Sequence, residues 1–204
     1  MTAEQTSMVP GRILIADDEH LVAAGLASCV KSLGCAVVGP AADGQEAIQL
    51  AERECPDLAL LDIRMPGADG IDAAAILWRE SDIPCIIVTA YSDEANVTRA
   101  QHSGVFGFLL KPVTVDSLRT AIAIAWSRAN DARALRNRVG QLETTLSNRK
   151  IIEQAKWRLV ETQGMSEPEA HAWLQRTSRN GRRTLVDVAN EVIRQALKAP
   201  ARAL

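Results

Sequence analysis

Aspartates, a threonine and a lysine recur at one kind of place in this sequence, directly after a short apolar run. Leu58-Ala59-Leu60-Leu61 ends at Asp62, and Arg12-Ile13-Leu14-Ile15-Ala16 ends at Asp17-Asp18. Cys85-Ile86-Ile87-Val88 ends at Thr89-Ala90, and Phe106-Gly107-Phe108-Leu109-Leu110 ends at Lys111-Pro112. Short apolar runs bounded by turn residues read as interior strands of a parallel sheet, and ligands of open α/β sheets gather at the carboxyl ends of such strands. An isolated strand-end aspartate most often caps a turn. Three carboxylates, a hydroxyl and an ammonium at successive strand ends make a site instead. Adjacent acids are hard to keep ionised without a cation, and the oxygen-rich set suits Mg²⁺ together with waters and a phosphate oxygen. Pro112 biases Lys111 away from helical geometry, which keeps its ammonium on the loop side of the strand.

The elements that position these groups follow from the alternation of apolar runs with helical patterns over residues 12–128. Five βα units are expected, with helices near 19–33, 44–54, 70–79, 93–103 and from 114 onward. The fold class is therefore α/β, a doubly wound five-stranded parallel sheet, with residues 1–11 ahead of it as a flexible N-terminus. Cys29, Cys35, Cys55 and Cys85 show no C-x-x-C spacing and read as small core or half-buried hydrophobes in a reducing compartment. The first residues, MTAEQTSMVPG, lack a basic start and an apolar core, and no run approaches the roughly 18 residues of a membrane span. A cytoplasmic protein with no membrane partner is expected.

Asp17-Asp18, Asp62 with Met65-Pro66-Gly67-Ala68-Asp69-Gly70 behind it, Thr89-Ala90 and Lys111-Pro112 together resemble the receiver domain of two-component response regulators. The resemblance implies a flavodoxin-like fold and a sensor histidine kinase as partner, with Asp62 as nucleophile and phosphoacceptor. It further implies that Asp18, Asp62 and the backbone carbonyl of Arg64 ligate Mg²⁺, with Asp17 acting largely through water. Lys111 would pair with the phosphoryl oxygens, Thr89 would hydrogen-bond them in the active state, and Phe108 stands at the aromatic switch position. The chemistry agrees: a carboxylate nucleophile makes an acyl phosphate, and cations offset the charge on the transferring group.

The charge is unevenly spread. Residues 1–146 carry 12 basic and 19 acidic side chains, whereas residues 147–204 carry 11 basic and 6 acidic. A net +5 tail after a −7 body raises the prospect of a polyanionic partner, although a solvated helix surface accounts for a moderate excess equally well. Leu118, Ile122 and Ala125 lead into Ala132, Leu135, Val139, Leu142 and Leu146, spaced alternately by three and four over much of their length. That spacing describes a coiled-coil linker helix over 129–147; the alternative is a helix packed on its own receiver. Paired copies would form a homodimer on phosphorylation and bring two tails together.

Residues 148–198 read as a small three-helix all-α domain, followed by a flexible C-terminus over 199–204. The first helix begins near Asn148 and aligns Ile151, Ile152, Ala155 and Leu159, continuing from the coiled coil. Ser166-Glu167-Pro168-Glu169 is a capping box ahead of Ala170, Trp173, Leu174 and Thr177. Thr184 with Asp187 opens the last helix, whose Leu185, Val188, Ala189, Val192, Ile193 and Ala196 form a stripe. Arg149-Lys150, Glu153-Gln154-Ala155-Lys156, GMSEPEAHAWLQR and Thr184 to Ala189 in this order resemble the ANTAR output domain of antiterminator regulators. The resemblance implies a paired RNA-binding module that grips stem-loops in nascent transcripts and prevents a terminator from forming.

Arg149, Lys150, Lys156, Arg176, Arg179, Arg182 and Arg183 are the expected phosphate contacts, and an exposed aromatic would stack on a loop base. Trp173, beside Leu174 on an amphipathic stripe, reads as core. Trp157 departs from the family, which usually has Gly there; it either fills a gap in the bundle or adds a stacking surface. His102 and His171 read as surface residues. The function expected is a phosphorylation-controlled transcription antiterminator and not an enzyme. Two other readings are a receiver-controlled DNA-binding regulator, disfavoured by the absence of helix-turn-helix spacing, and a receiver with a protein-docking helical tail.

Overall fold

The computed structural model describes residues 10–90, 98–100 and 103–198. The chain divides into two units, Met1–Arg133 and Ala134–Leu204.

Unit 1 runs β1 (Arg12–Ala16), α1 (His20–Ser32), β2 (Ala36–Ala41), α2 (Gly44–Glu54), β3 (Leu58–Asp62), α3 (Gly70–Ser81), β4 (Cys85–Thr89), β5 (Val105–Leu110) and the start of α4 (Val115–Gln163). The strands pair in parallel in the order β2-β1-β3-β4-β5. Every residue of β3 and β4 is buried, which is why both read as unbroken apolar runs. Alternation within strands divides the core between two faces. Leu14, Leu61 and Ile87 pack with α2 and α3 residues such as Ala47, Ile71 and Leu77. Ile13, Ile15, Leu60 and Ile86 pack with Leu26 of α1 and with Leu118, Ile122 and Ala125 of α4. Each such Leu or Ile, fully buried, stabilises the fold by about 1.5–3 kcal/mol.

The five-stranded sheet agrees with the expectation, but β2 carries only Val37 and Val38 as large apolar residues and Pro40 near its end. Such a strand is tolerated only at a sheet edge, where β2 lies. The helix expected over 93–103 lies outside the described residues except at 98–100, which are helical, and at 103, which is in a turn. Cys35 and Cys85 are buried and Cys29 half-buried, as expected, whereas Cys55 is exposed as the left-handed C-cap of α2.

Near the end of unit 1, the Arg133 guanidinium lies 5.7 Å from the Trp78 ring centroid and 5.3 Å from that of Trp126. It also donates to the Asp82 carbonyl and to Asn130 Oδ1. Trp78 in turn meets Phe106 edge to face at 4.7 Å. The cation–π contact with Trp78 and the bond to the Asp82 backbone oxygen fasten α4 to α3 more firmly than an exposed ion pair would, while the contact with Trp126, on α4 itself, holds the guanidinium in place. Arg133→Ala is expected to lower the stability of unit 1 by about 1–2 kcal/mol, read as a lower urea midpoint for its unfolding. An unchanged midpoint would remove the clamp from the account.

Unit 2 holds the rest of α4, then α5 (Glu167–Gly181) and α6 (Leu185–Lys198). The first tail helix continues from the linker, as expected, and has no separate start near Asn148: α4 is continuous from Val115 to Gln163. Between Ala132 and Asn148 the poorest helix former is Gly140, which costs about 1 kcal/mol and cannot interrupt a helix anchored at both ends. Gly164, at φ 66, ends it. Ser166 N donates to Glu169 Oε2 at 2.8 Å to open α5. Thr184 N donates to Asp187 Oδ2 at 3.2 Å while Asp187 N donates to Thr184 Oγ1 at 3.1 Å, a reciprocal cap for α6. Ala155, Leu159, Ala170, Leu174, Val188, Ala189 and Val192 form the core, with Ile151, Ile152 and Trp173 half-buried around it.

Candidate phosphoacceptor site and RNA-facing surface

Parallel strands of equal register bring their carboxyl ends to one edge, and the strand order reverses between β1 and β3, where such sheets bind ligands. Ala16 pairs with Leu61, Asp62 with Val88, and Thr89 with Leu110. The residues that follow or end these strands, Asp17, Asp62, Thr89 and Lys111, therefore meet at one edge. Asp17 is 1%, Asp62 7% and Thr89 6% exposed. Lys111 Nζ lies 2.8 Å from Asp17 Oδ2 and 2.8 Å from Asp62 Oδ1, with Glu19 Oε1 at 3.9 Å. One ammonium thus bridges the two buried carboxylates.

Burial opposes the charge on Lys111, but contacts with Asp17 and Asp62 outweigh it and hold its pKa above the ordinary lysine value. The Asp17 Oδ2 contact is short yet lacks hydrogen-bond geometry, so that buried oxygen has no directed donor. Its other oxygen accepts from Glu19 N at 3.0 Å. Asp62 Oδ2 accepts from Arg64 N at 2.7 Å, which fixes the carboxylate in the loop after β3. Asp69 caps α3 by accepting from Ile71 N and Asp72 N, and pairs with Arg99 at 2.7 Å.

Asp18 is exposed and lines an open, polar mouth with Ile63, Arg64, Met65, Asp69 and Arg99. Among the described residues no three acidic, histidine or cysteine side chains stand close enough, as placed, to hold an ion. The expected trio of Asp17, Asp18 and Asp62 is thus only partly assembled: Lys111 occupies the position between Asp17 and Asp62, and Asp18 stays at the rim. The donor chemistry still fits a hard divalent cation. It consists of carboxylate and carbonyl oxygens, and one buried Asp17 oxygen lacks a directed hydrogen bond.

Phe108 pairs in register with Ile87, and its side chain is 38% exposed on the edge strand β5. Glu19 and the Asp69–Arg99 pair were not among the residues singled out from the sequence. Glu19 carried only a weak signal, an acid two residues after Asp17, and Arg99 is 30 residues from Asp69.

In unit 2 the expected phosphate contacts divide. Arg149, Lys150, Arg176, Arg179 and Arg182 are exposed. Lys156 differs, with a side chain only 10% exposed that reaches Glu167 at 2.6 Å and Glu153 at 2.9 Å. Hydrogen bonds from Lys156 to Glu167 and Glu153 raise its pKa, and the same contact lowers that of Glu167. Lys156 is thereby a tie between α4 and α5, withdrawn from solvent because Ala155 beside it is core. Arg183 is similarly engaged, with Glu191 at 2.6 Å. Trp157 does not fill a gap in the bundle; it is 61% exposed. His171 is half-buried, with Nε2 3.0 Å from Gln175 Nε2.

Comparisons with known proteins agree with this layout. A family model described as the response regulator receiver domain matches residues 13–123, and one described as the ANTAR domain matches residues 140–193. The chain is 40% identical over 199 residues to the transcriptional regulatory protein PdtaR of Mycobacterium tuberculosis, covering 98% of this chain and 97% of that protein. A signal receiver domain of a modulated diguanylate cyclase from Desulfovibrio desulfuricans G20 superposes with a TM-score of 0.56 at 37% identity, over 60% of this chain and 97% of that one. A two-component response regulator of the LuxR family from Aurantimonas gives 0.51 at 30% identity, over 56% and 82%. No described helix is long and apolar enough to cross a membrane. With a receiver whose acidic strand ends meet at one edge and an ANTAR unit behind it, this chain belongs to the response regulators, a family of two-component signalling proteins.

Proposed function

We propose that this protein is a phosphorylation-controlled antiterminator whose input is Asp62 and whose output is hairpin RNA bound by unit 2. The observation that carries the input is the bridge of Lys111 between Asp17 and Asp62, each at 2.8 Å. An Asp62 oxygen would attack the phosphorus of a phosphohistidine on a sensor histidine kinase, forming the O–P bond as the P–N bond breaks and its electron pair returns to the imidazole. Lys111, already charged and positioned, would move its contact from the carboxylate to the incoming phosphoryl oxygens. Asp17, Asp18, Asp62 and the Arg64 carbonyl would hold Mg²⁺, which supplies charge neutralisation when bound. Thr89, at the end of β4, and Phe108, within the neighbouring β5, would then rearrange, and the exposed face of α4 would favour a parallel dimer.

Pairing matters because two weak RNA-binding units joined in one dimer gain a large effective concentration for a two-part site. The support for RNA over duplex DNA is the match of residues 140–193 to the ANTAR domain together with the exposed Arg149, Lys150, Arg176, Arg179 and Arg182. Arg176→Gln with Arg179→Gln is the informative variant, since Lys156 holds the bundle together. RNA copurifying with the wild type is expected to be enriched in paired hairpins and RNA copurifying with the double variant is not, with a salt slope shallower by about 1–2. Duplex DNA competing as well as hairpin RNA would favour a DNA-binding regulator and sink the antitermination reading.

A further inference from the structure

Within unit 2, α4 has two faces of opposite character. Ala155 and Leu159 are 0% and 1% exposed in the core of the bundle. Trp157 lies about 160° around the helix from each, at 100° per residue. Its own bundle cannot cover it. Leu135, Leu146 and Trp157 recur every 11 residues, a repeat that stays close to one face of an undistorted helix. Val139 and Leu142 fall on the same line. All five are exposed, at 65%, 46%, 58%, 61% and 61% for Leu135, Val139, Leu142, Leu146 and Trp157.

The charges around Trp157 decide between a nucleic acid and a protein as its partner. Glu153 and Glu161 lie one turn to either side of it, the first paired with Lys156 at 2.9 Å and the second with Arg158 at 3.2 Å. A phosphate backbone approaching this ring would meet carboxylates whose cations are already engaged. An apolar protein surface would not. Between Leu146 and Trp157 the line passes through Lys150 and Glu153, of opposite sign, so a second copy laid in parallel has an acid within one turn of each lysine.

We infer that Trp157 continues the pairing face of α4 into the output unit and docks against its counterpart in a second copy of this chain. The inference rests on the parallel pairing proposed for α4 and adds its extent: the pair runs from Leu135 through Trp157, with a change from 7-residue to 11-residue spacing after Leu146. The tryptophan is then a dimer residue and not a base-stacking platform, and the two bundles sit on the outer sides of the paired helices.

Cross-linking of the full chain with a short bismaleimide tests the two layers separately. Leu146→Cys and Trp157→Cys are each expected to yield a covalent dimer, while Gln141→Cys, on the opposite side of the helix, and the wild type with its four native cysteines are not. The reactions are run with and without a small phosphoryl donor and Mg²⁺, and a dimer in either state counts. Cross-linking of the Leu146→Cys variant alone would overturn the inference and leave the pairing standing; cross-linking of neither variant would remove both. Trp157→Ala is expected to weaken the dimer about tenfold or more in sedimentation. Unchanged sedimentation with weakened hairpin RNA binding would assign Trp157 to the RNA face and overturn the inference.

Discussion

Replacing Asp62 with asparagine is expected to reduce phosphoryl labelling from a small donor and Mg²⁺ to background. Asparagine matches the shape of aspartate and keeps an oxygen able to accept the 2.7 Å bond from Arg64 N. It lacks the carboxylate that forms an acyl phosphate. The side chain is only 9% exposed and Lys111 keeps its second carboxylate partner, Asp17 at 2.8 Å, so the fold is expected to survive with a modest change in melting temperature. Intact-mass measurement after exposure to the donor reads the label directly. Any donor-dependent gain in RNA binding by the wild type should vanish in the variant. Label persisting on the asparagine variant would move the phosphoacceptor elsewhere, and Asp17 or Asp18 would be the next residues to replace.

The second large effect belongs to a residue with no chemistry of its own. A Cβ on Gly70 would overlap the Asp62 carbonyl oxygen and stand 2.9 Å from the carbonyl carbon. Both obstacles are backbone atoms of β3, so no rotamer change relieves them. The first turn of α3, capped by Asp69, would have to leave the strand that carries Asp62. Gly70→Ala is expected to cost about 3 kcal/mol or more, a large share of the roughly 5–15 kcal/mol that holds a domain folded. That corresponds to a drop of about 10 °C in the melting of unit 1, with phosphoryl labelling lost in parallel. Gly25→Ala, in α1 with nothing within 4 Å of the added carbon, is the matched control and should be neutral or slightly stabilising. Wild-type melting of the Gly70 variant would refute the steric account.

Much of the core was legible because each buried face left a periodic mark. The apolar runs at β1, β3, β4 and β5 and the helical stripes of α5 and α6 were written into local spacing, and those residues supply nearly half of the buried core. β2 left little mark because Val37 and Val38 are its only large apolar residues and Gly39-Pro40 interrupts the run. The seam from Leu118 to Leu146 shows where periodicity alone is ambiguous. Leu118, Ile122 and Ala125 are core of unit 1, whereas Leu135, Val139, Leu142 and Leu146 are exposed. One helical repeat describes both, since spacing reports which residues share a face and not what lies against it.

The same limit applies to charge. Lys156 and Arg149 were alike in sequence, both cations in a basic tail. Packing separated them: Lys156 is beside a fully buried alanine and within reach of Glu167 across the turn, and Arg149 is exposed on the helix surface. By itself the sequence determined which groups meet at the carboxyl edge of the sheet, because the ends of parallel strands are fixed by the runs that precede them. Only the tertiary structure decided how those groups are arranged, with Lys111 between Asp17 and Asp62 and Asp18 left at the rim. Ion pairing depends on distances between residues far apart in the chain, and local spacing does not encode them.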